Sequence, residues 1–214
     1  LLPEGAIRTF EVILDPADYL VLDTAFSGYT TIRDGGFEVV ANAFEGTLDA
    51  HAMARFRIPE AVIITDTLGV IQTDSMPVFV GGRFVIRIDT LRSALPEPAE
   101  FRLDRIEEEW DPASVTWMFR VDSAGVQEAW SQAGGLGGTP IGTIEWSAEG
   151  SDSLVIPVDS QTITAWRDTT TNARGAVLSL LTQGTRVRIA DILLRLDASS
   201  SLNPDTLFTS TVRP

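Results

Sequence analysis

The sequence carries one histidine, His51, and no cysteine. A serine-histidine-aspartate relay would therefore have to use His51, and a histidine-rich metal cluster is excluded. Without cysteine, thiolate nucleophiles, thiolate metal sites and disulfides are excluded as well. His51 lies in the alternating run His51–Ile58, on the face it shares with Arg55 and Arg57, where a histidine on a sheet face is the simpler reading. No Gly-x-Ser-x-Gly elbow, phosphate loop ending in Gly-Lys, or His-Glu-x-x-His helix occurs. Two positioned carboxylates would suffice for glycoside hydrolysis, but with 30 acidic residues the existence of some pair says little. The densest run, Glu107-Glu108-Glu109, reads as a solvated strand end rather than a calcium or sugar site. Asp15, Asp18 and Asp23 lie close together without the spacing of a helix-loop-helix calcium loop. A structural calcium ion is the one cofactor these residues leave open.

The tryptophans are the more distinctive set: Trp110, Trp117, Trp130, Trp146 and Trp166. An indole can stack on the apolar face of a sugar ring, and the same area can fill a core. Trp130 and Trp146 flank the glycine-rich stretch Gly134–Gly138, which reads as a flexible connection, so these two are the candidate ligand-binding residues. Trp110, Trp117 and Trp166, with Phe56, are assigned to the structural core.

These residues are set among short β-strands. In His51–Ile58 the apolar Ala52, Ala54, Phe56 and Ile58 alternate with His51, Arg55 and Arg57; Phe84, Ile86 and Ile88 alternate with Arg87 and Asp89. Further strand candidates are 8–14, 19–23, 37–43, 61–72, 101–105, 115–120, 142–146, 153–158, 176–181 and 187–196. Only Asp159–Thr169 looks helical, capped by Asp159 or Ser160, with Ile163 and Trp166 on one face. The pattern predicts an all-β, antiparallel sandwich with one short helix. Residues 1–198 form its single domain and 199–214 a C-terminal extension or linker, of which Asp205–Pro214 is a tail or an extra strand.

The formal net charge is −14, and every basic residue is arginine. Such a surface repels phosphate backbones, which argues against nucleic acid and anionic lipid. A local anion-binding patch would need Arg55, Arg57, Arg83 and Arg87 to meet across neighbouring strands. No apolar run approaches the roughly 18 residues a membrane helix needs. The sequence begins Leu1-Leu2-Pro3-Glu4 without methionine, which is compatible with a removed signal or lipid anchor.

The segment Arg105-Ile106-Glu107-Glu108-Glu109-Trp110-Asp111-Pro112-Ala113-Ser114-Val115-Thr116-Trp117 resembles the V-x-E-x-W-x-E-x-x-V-T-W signature of DNRLRE-type, disaggregatase-related domains. Upstream, His51–Pro59 is similar to their R-A-L-L-R-F-D-L strand. Downstream, Val158, Ile163 and Trp166, then Asn172 and Gly175, are similar to V-T-x-x-V-x-x-W followed by N-x-G. Met118 stands where an asparagine usually follows the Thr-Trp pair, and Arg167 where a glycine usually follows the helix tryptophan. The resemblance implies a jelly-roll sandwich, an extracytoplasmic setting and no catalysis by the module itself. The expected function is a non-catalytic module that holds a polysaccharide or cell-surface glycan. The alternative is a structural or accessory subunit of a filament, layer or membrane-associated complex that acts through neighbouring protein subunits.

Overall fold

The computed structural model describes residues 38–95, 98–147, 150–200 and 202–214. Strands make up 55% of it, and it is an all-β sandwich with one helix. The strands are β1 Glu38–Phe44, β2 Leu48–Ala50, β3 Ala52–Ala54, β4 Val62–Thr65, β5 Ile71–Asp74, β6 Val78–Ile88, β7 Ala99–Arg105, β8 Phe119–Ser123, β9 Val126–Ala129, β10 Thr139–Trp146, β11 Ser153–Asp159, β12 Ala176–Leu180, β13 Thr185–Ser200 and β14 Asn203–Val212; helix α1 is Ser160–Arg167. The larger sheet runs β11-β6-β13-β1-β2, with β14 also on β13. The smaller runs β10-β7-β12-β3. Every strand pairing is antiparallel.

The core lies between the two sheets because alternate residues of each strand are apolar. Phe84, Ile86 and Ile88 of β6 and Leu154, Ile156 and Val158 of β11 share one buried cluster with Phe101 and Leu103 of β7 and Leu178 and Leu180 of β12. In β13 the buried positions change parity, from Thr185, Val187 and Ile189 to Ile192, Leu194, Leu196 and Ala198. The register against β6 shifts between Ile189 and Asp191, so a bulge at Ala190 keeps both halves facing inward. Asp159 caps α1 by accepting from the Thr162 amide at 2.7 Å, which holds the Asp159 carboxyl below its usual range. The helix packs over β6 and β11 and drives Ile163 and Trp166 into the core.

Two expectations about the elements change. The 61–72 run is a hairpin, not one strand: the Asp66 carboxylate accepts from the amides of Leu68 and Val70, both at 2.9 Å, and closes a turn between β4 and β5. Residues 115–118 are loop, and the strand there starts at Phe119. β13 runs to Ser200, and Asn203–Val212 forms strand β14, which pairs with it from Ser200↔Asn203 to Leu194↔Val212. The candidates at 8–14 and 19–23 lie outside the described residues. Among those described, no helix is long and apolar enough to cross a membrane.

Glu38, the first described residue of β1, has a carboxylate oxygen, Oε2, buried with no hydrogen-bond partner. Burial pushes its pKa from 4.5 up to about 7. Between those values the folded state binds more proton than the unfolded chain, so stability falls as pH rises through this window and levels off above it. At about 1.4 kcal/mol per pKa unit, the loss between pH 4 and pH 8 is on the order of 3 kcal/mol. Glu38→Gln is expected to flatten that part of the stability profile. Urea titrations at pH 4, 6 and 8 that fall in parallel for the two proteins would contradict it.

Candidate functional site

The smaller sheet is buried on both faces along its inner strand β12. All of Ala176-Val177-Leu178-Ser179-Leu180 is inaccessible to solvent. Ala176, Leu178 and Leu180 face the sandwich core, while Val177 joins a second cluster with Ile106, Trp110, Val115 and Trp130, flanked by Met53 and Leu136. Side chains from the segments on either side of the hairpin β8–β9, Ile106, Trp110 and Val115 before it and Trp130 and Leu136 after it, thus cover β12 from outside.

The Gly134–Gly138 stretch straps that cover down and is no flexible connection. Gly134 donates to the Trp117 carbonyl at 2.7 Å, and its own carbonyl lies 3.0 Å from His51 Nδ1. A Cβ on Gly134, whose φ is +76°, would fall 2.5 Å from that nitrogen. One on Gly138 would fall 1.7 Å from the Arg105 carbonyl oxygen.

A depression of about 210 Å³ opens between the end of β7, Trp130 and this strap, lined by Ile106, Glu107, Glu108, Trp130, Ser131 and Gly135–Gly138. It falls short of the roughly 300 Å³ at which ligand pockets begin. Both carboxylates are already engaged. Glu107 accepts from Thr139 Oγ1 and from Arg105 at 2.6 Å, which together hold its carboxyl below the usual range. Glu108 accepts from the Ser131 hydroxyl at 2.7 Å and the Ser131 amide at 3.2 Å.

The expected ligand-binding tryptophans are corrected: neither is exposed. Trp130 is 7% accessible and lies in the second cluster, its Nε1 donating to the Thr116 carbonyl at 3.1 Å. Trp146 is 5% accessible and belongs to the main core, edge-on to Phe101 with Nε1 donating to the Ser151 carbonyl at 2.9 Å. Trp117, assigned to the core, is half-buried and rests on the His51 ring at a centroid distance of 4.7 Å. Phe56, Trp110 and Trp166 are buried.

His51 serves as a structural tie between β3 and the strap. Burial is the largest cause holding its pKa below 6.5, and a neutral ring donates from Nδ1 to the Gly134 carbonyl. Three of the four arginines are held at separate places. Arg83 pairs with Asp197 at 3.4 Å and Arg87 with Asp152 at 3.8 Å on the larger sheet. Arg55, on the other sheet's side, lies 4.6 Å over the Trp110 ring and donates to the Asn172 carbonyl at 3.0 Å. Among the described residues no group of three or more acidic or histidine side chains could hold a metal, and Asp15, Asp18 and Asp23 lie outside them.

The exposed apolar surface went unread in the sequence. Ile63, Leu68, Ile71 and Met76 are 74–85% accessible, and Val70, Val78 and Val80 are exposed beside them in the chain. The register Val62↔Asp74 and Ile64↔Gln72 leaves Ile63 and Ile71 on the outward face of β4–β5 while Val62 and Ile64 enter the core. The signal was present as apolar residues at both parities of the run 62–71.

No family model matches this chain, and neither does any curated protein or solved structure.

Proposed function

We propose that the chain is a non-catalytic structural or accessory subunit of an extracytoplasmic assembly, acting through protein contacts. The carrying observation is the concentration of exposed large apolar side chains on the β4–β5 hairpin and the start of β6, between Ile63 and Val80. Patches of this kind on a soluble domain mark interaction surfaces. Burial of Trp130 and Trp146 weighs against a sugar-stacking platform built on these two rings.

The test is the double substitution Ile63→Asp with Ile71→Asp. Both side chains are exposed, so the fold is expected to keep its melting temperature, while association of the chain with itself or with a partner recovered by pull-down is lost. A wild-type chain that scatters light as a monodisperse monomer at high concentration and recovers no partner sinks this reading.

A glycan-binding module is the second reading, supported by the depression beside Trp130, Glu107 and Glu108 and by the resemblance of residues 105–117 to DNRLRE-type domains. Affinity electrophoresis against acidic, neutral and amino polysaccharides tests it. Retardation by none of them removes it.

A further inference from the structure

β14 is an edge strand of unusual composition. Among the described residues it pairs only with β13, so no described strand takes up the backbone donors and acceptors of its other flank. Edges of this length are ordinarily guarded by charge, proline or a bulge, lysine above all. This chain has no lysine, and the run Thr206-Leu207-Phe208-Thr209-Ser210-Thr211-Val212 carries neither charge nor proline. Phe208 and Val212 pack against the core, which fixes the strand in place, while Leu207 is 65% exposed on the opposite face.

The residues around this run are self-complementary. Suppose a second β14 is laid antiparallel on the free edge with a two-fold axis at Thr209. Thr206 then faces Val212, Leu207 faces Thr211 and Phe208 faces Ser210, in both directions. The next pair outward is Asp205 against Arg213, and it occurs twice, once at each end. Pro204 and Pro214, which cannot donate to a ladder, fall opposite each other where the pairing stops. Asp205 and Arg213 are both exposed, and Arg213 reaches Asp191 of its own chain at 3.0 Å with most of its side chain still in solvent. An isologous contact requires one patch to complement itself, and opposite charges placed symmetrically about one residue meet that requirement.

We propose that the free edge of β14 pairs antiparallel with β14 of a second copy, joining the two larger sheets into one continuous sheet across a two-fold axis at Thr209. The inference deepens the assembly reading and names a partner for it, a second copy of this chain.

The absence of cysteine supplies a clean probe. In the full chain, Thr209→Cys places two thiols directly opposite each other across the axis. Thr206→Cys places them about 20 Å apart, three residues to either side at about 3.4 Å each. A short thiol-to-thiol cross-linker is expected to yield covalent dimer with Thr209→Cys and little with Thr206→Cys. Sedimentation of Asp205→Arg, which sets like charges opposite at both ends, is expected to show self-association weakened about tenfold or more. The exchange Asp205→Arg with Arg213→Asp is expected to recover most of it. Equal cross-linking at 206 and 209, or a dimer indifferent to Asp205→Arg, overturns pairing through β14 while leaving association through the hairpin standing. A wild-type chain that stays monomeric up to high concentration also overturns the inference, whereas the assembly reading falls only if no partner is recovered either.

Discussion

Replacing Trp166 by alanine is expected to destabilise the protein by about 4 kcal/mol, in the range found for large aromatics removed from cores. Trp166 is 1% accessible and anchors α1 over β6 and β11. Its ring meets Phe84 of β6 edge-on at 5.8 Å and Phe56, in the segment after β3, at 6.4 Å, so the cavity would be walled by two aromatics on separate segments that cannot both close it. The conservative variant separates volume from polarity. Trp166 Nε1 is buried without a hydrogen-bond partner, and an unsatisfied buried donor carries a penalty of about 1–3 kcal/mol. Trp166→Phe deletes that donor along with one ring, so it is expected to cost far less than alanine. Equilibrium urea unfolding of both variants provides the comparison. A phenylalanine variant as unstable as the alanine one would show that the indole nitrogen is solvated or bonded.

Gly138→Ala is expected to be nearly as damaging for the opposite reason, too much matter instead of too little. The added Cβ would sit 1.7 Å from the Arg105 carbonyl oxygen, a backbone atom that a rotamer change cannot move. Gly138 directly precedes β10, whose first pair is Thr139↔Arg105, so the clash falls on the ladder joining β7 to β10. Overpacking against backbone is expected to cost about 3 kcal/mol or more, and at roughly 2–4 °C per kcal/mol for this chain length the melting temperature drops by about 10 °C. The glycine strap is the near side of the Trp130 cluster, so indole emission should shift towards the red as Trp130 gains water. Gly150→Ala is the control, since its Cβ would meet nothing closer than 3.9 Å. If the two alanine variants melt together, the strap is not seated against β7 as described.

What the sequence could and could not disclose follows from how local each determinant is. Alternation in β6 and in the run 51–58 depends only on neighbours along the strand, so the inward faces were legible there, as was the Asp159 cap on α1. The fate of Trp130 and Trp146 depended on which distant segments lie over them, the strap in one case and the main core in the other, and no local pattern encodes that. The hairpin at 62–74 was misread because Ile63 and Ile71 are as apolar as a buried strand would be. The turn residues Asp66 and Gly69 were there to correct it. Arg55, which directly follows β3, stays apart from Arg83 and Arg87 because β3 and β6 belong to different sheets, a fact of topology and not of spacing.

β13 receives β1 and β14 end to end along one flank, opposite Thr185–Ile189 and Leu194–Ser200 respectively, and β6 along the other. That layout has a mechanical meaning. A force entering along β14 is opposed by the whole β13–β14 ladder at once, in shear, instead of opening one bond after another. β13 then passes the load to β6 along most of its length, making the sixteen-residue strand the tension member of the domain.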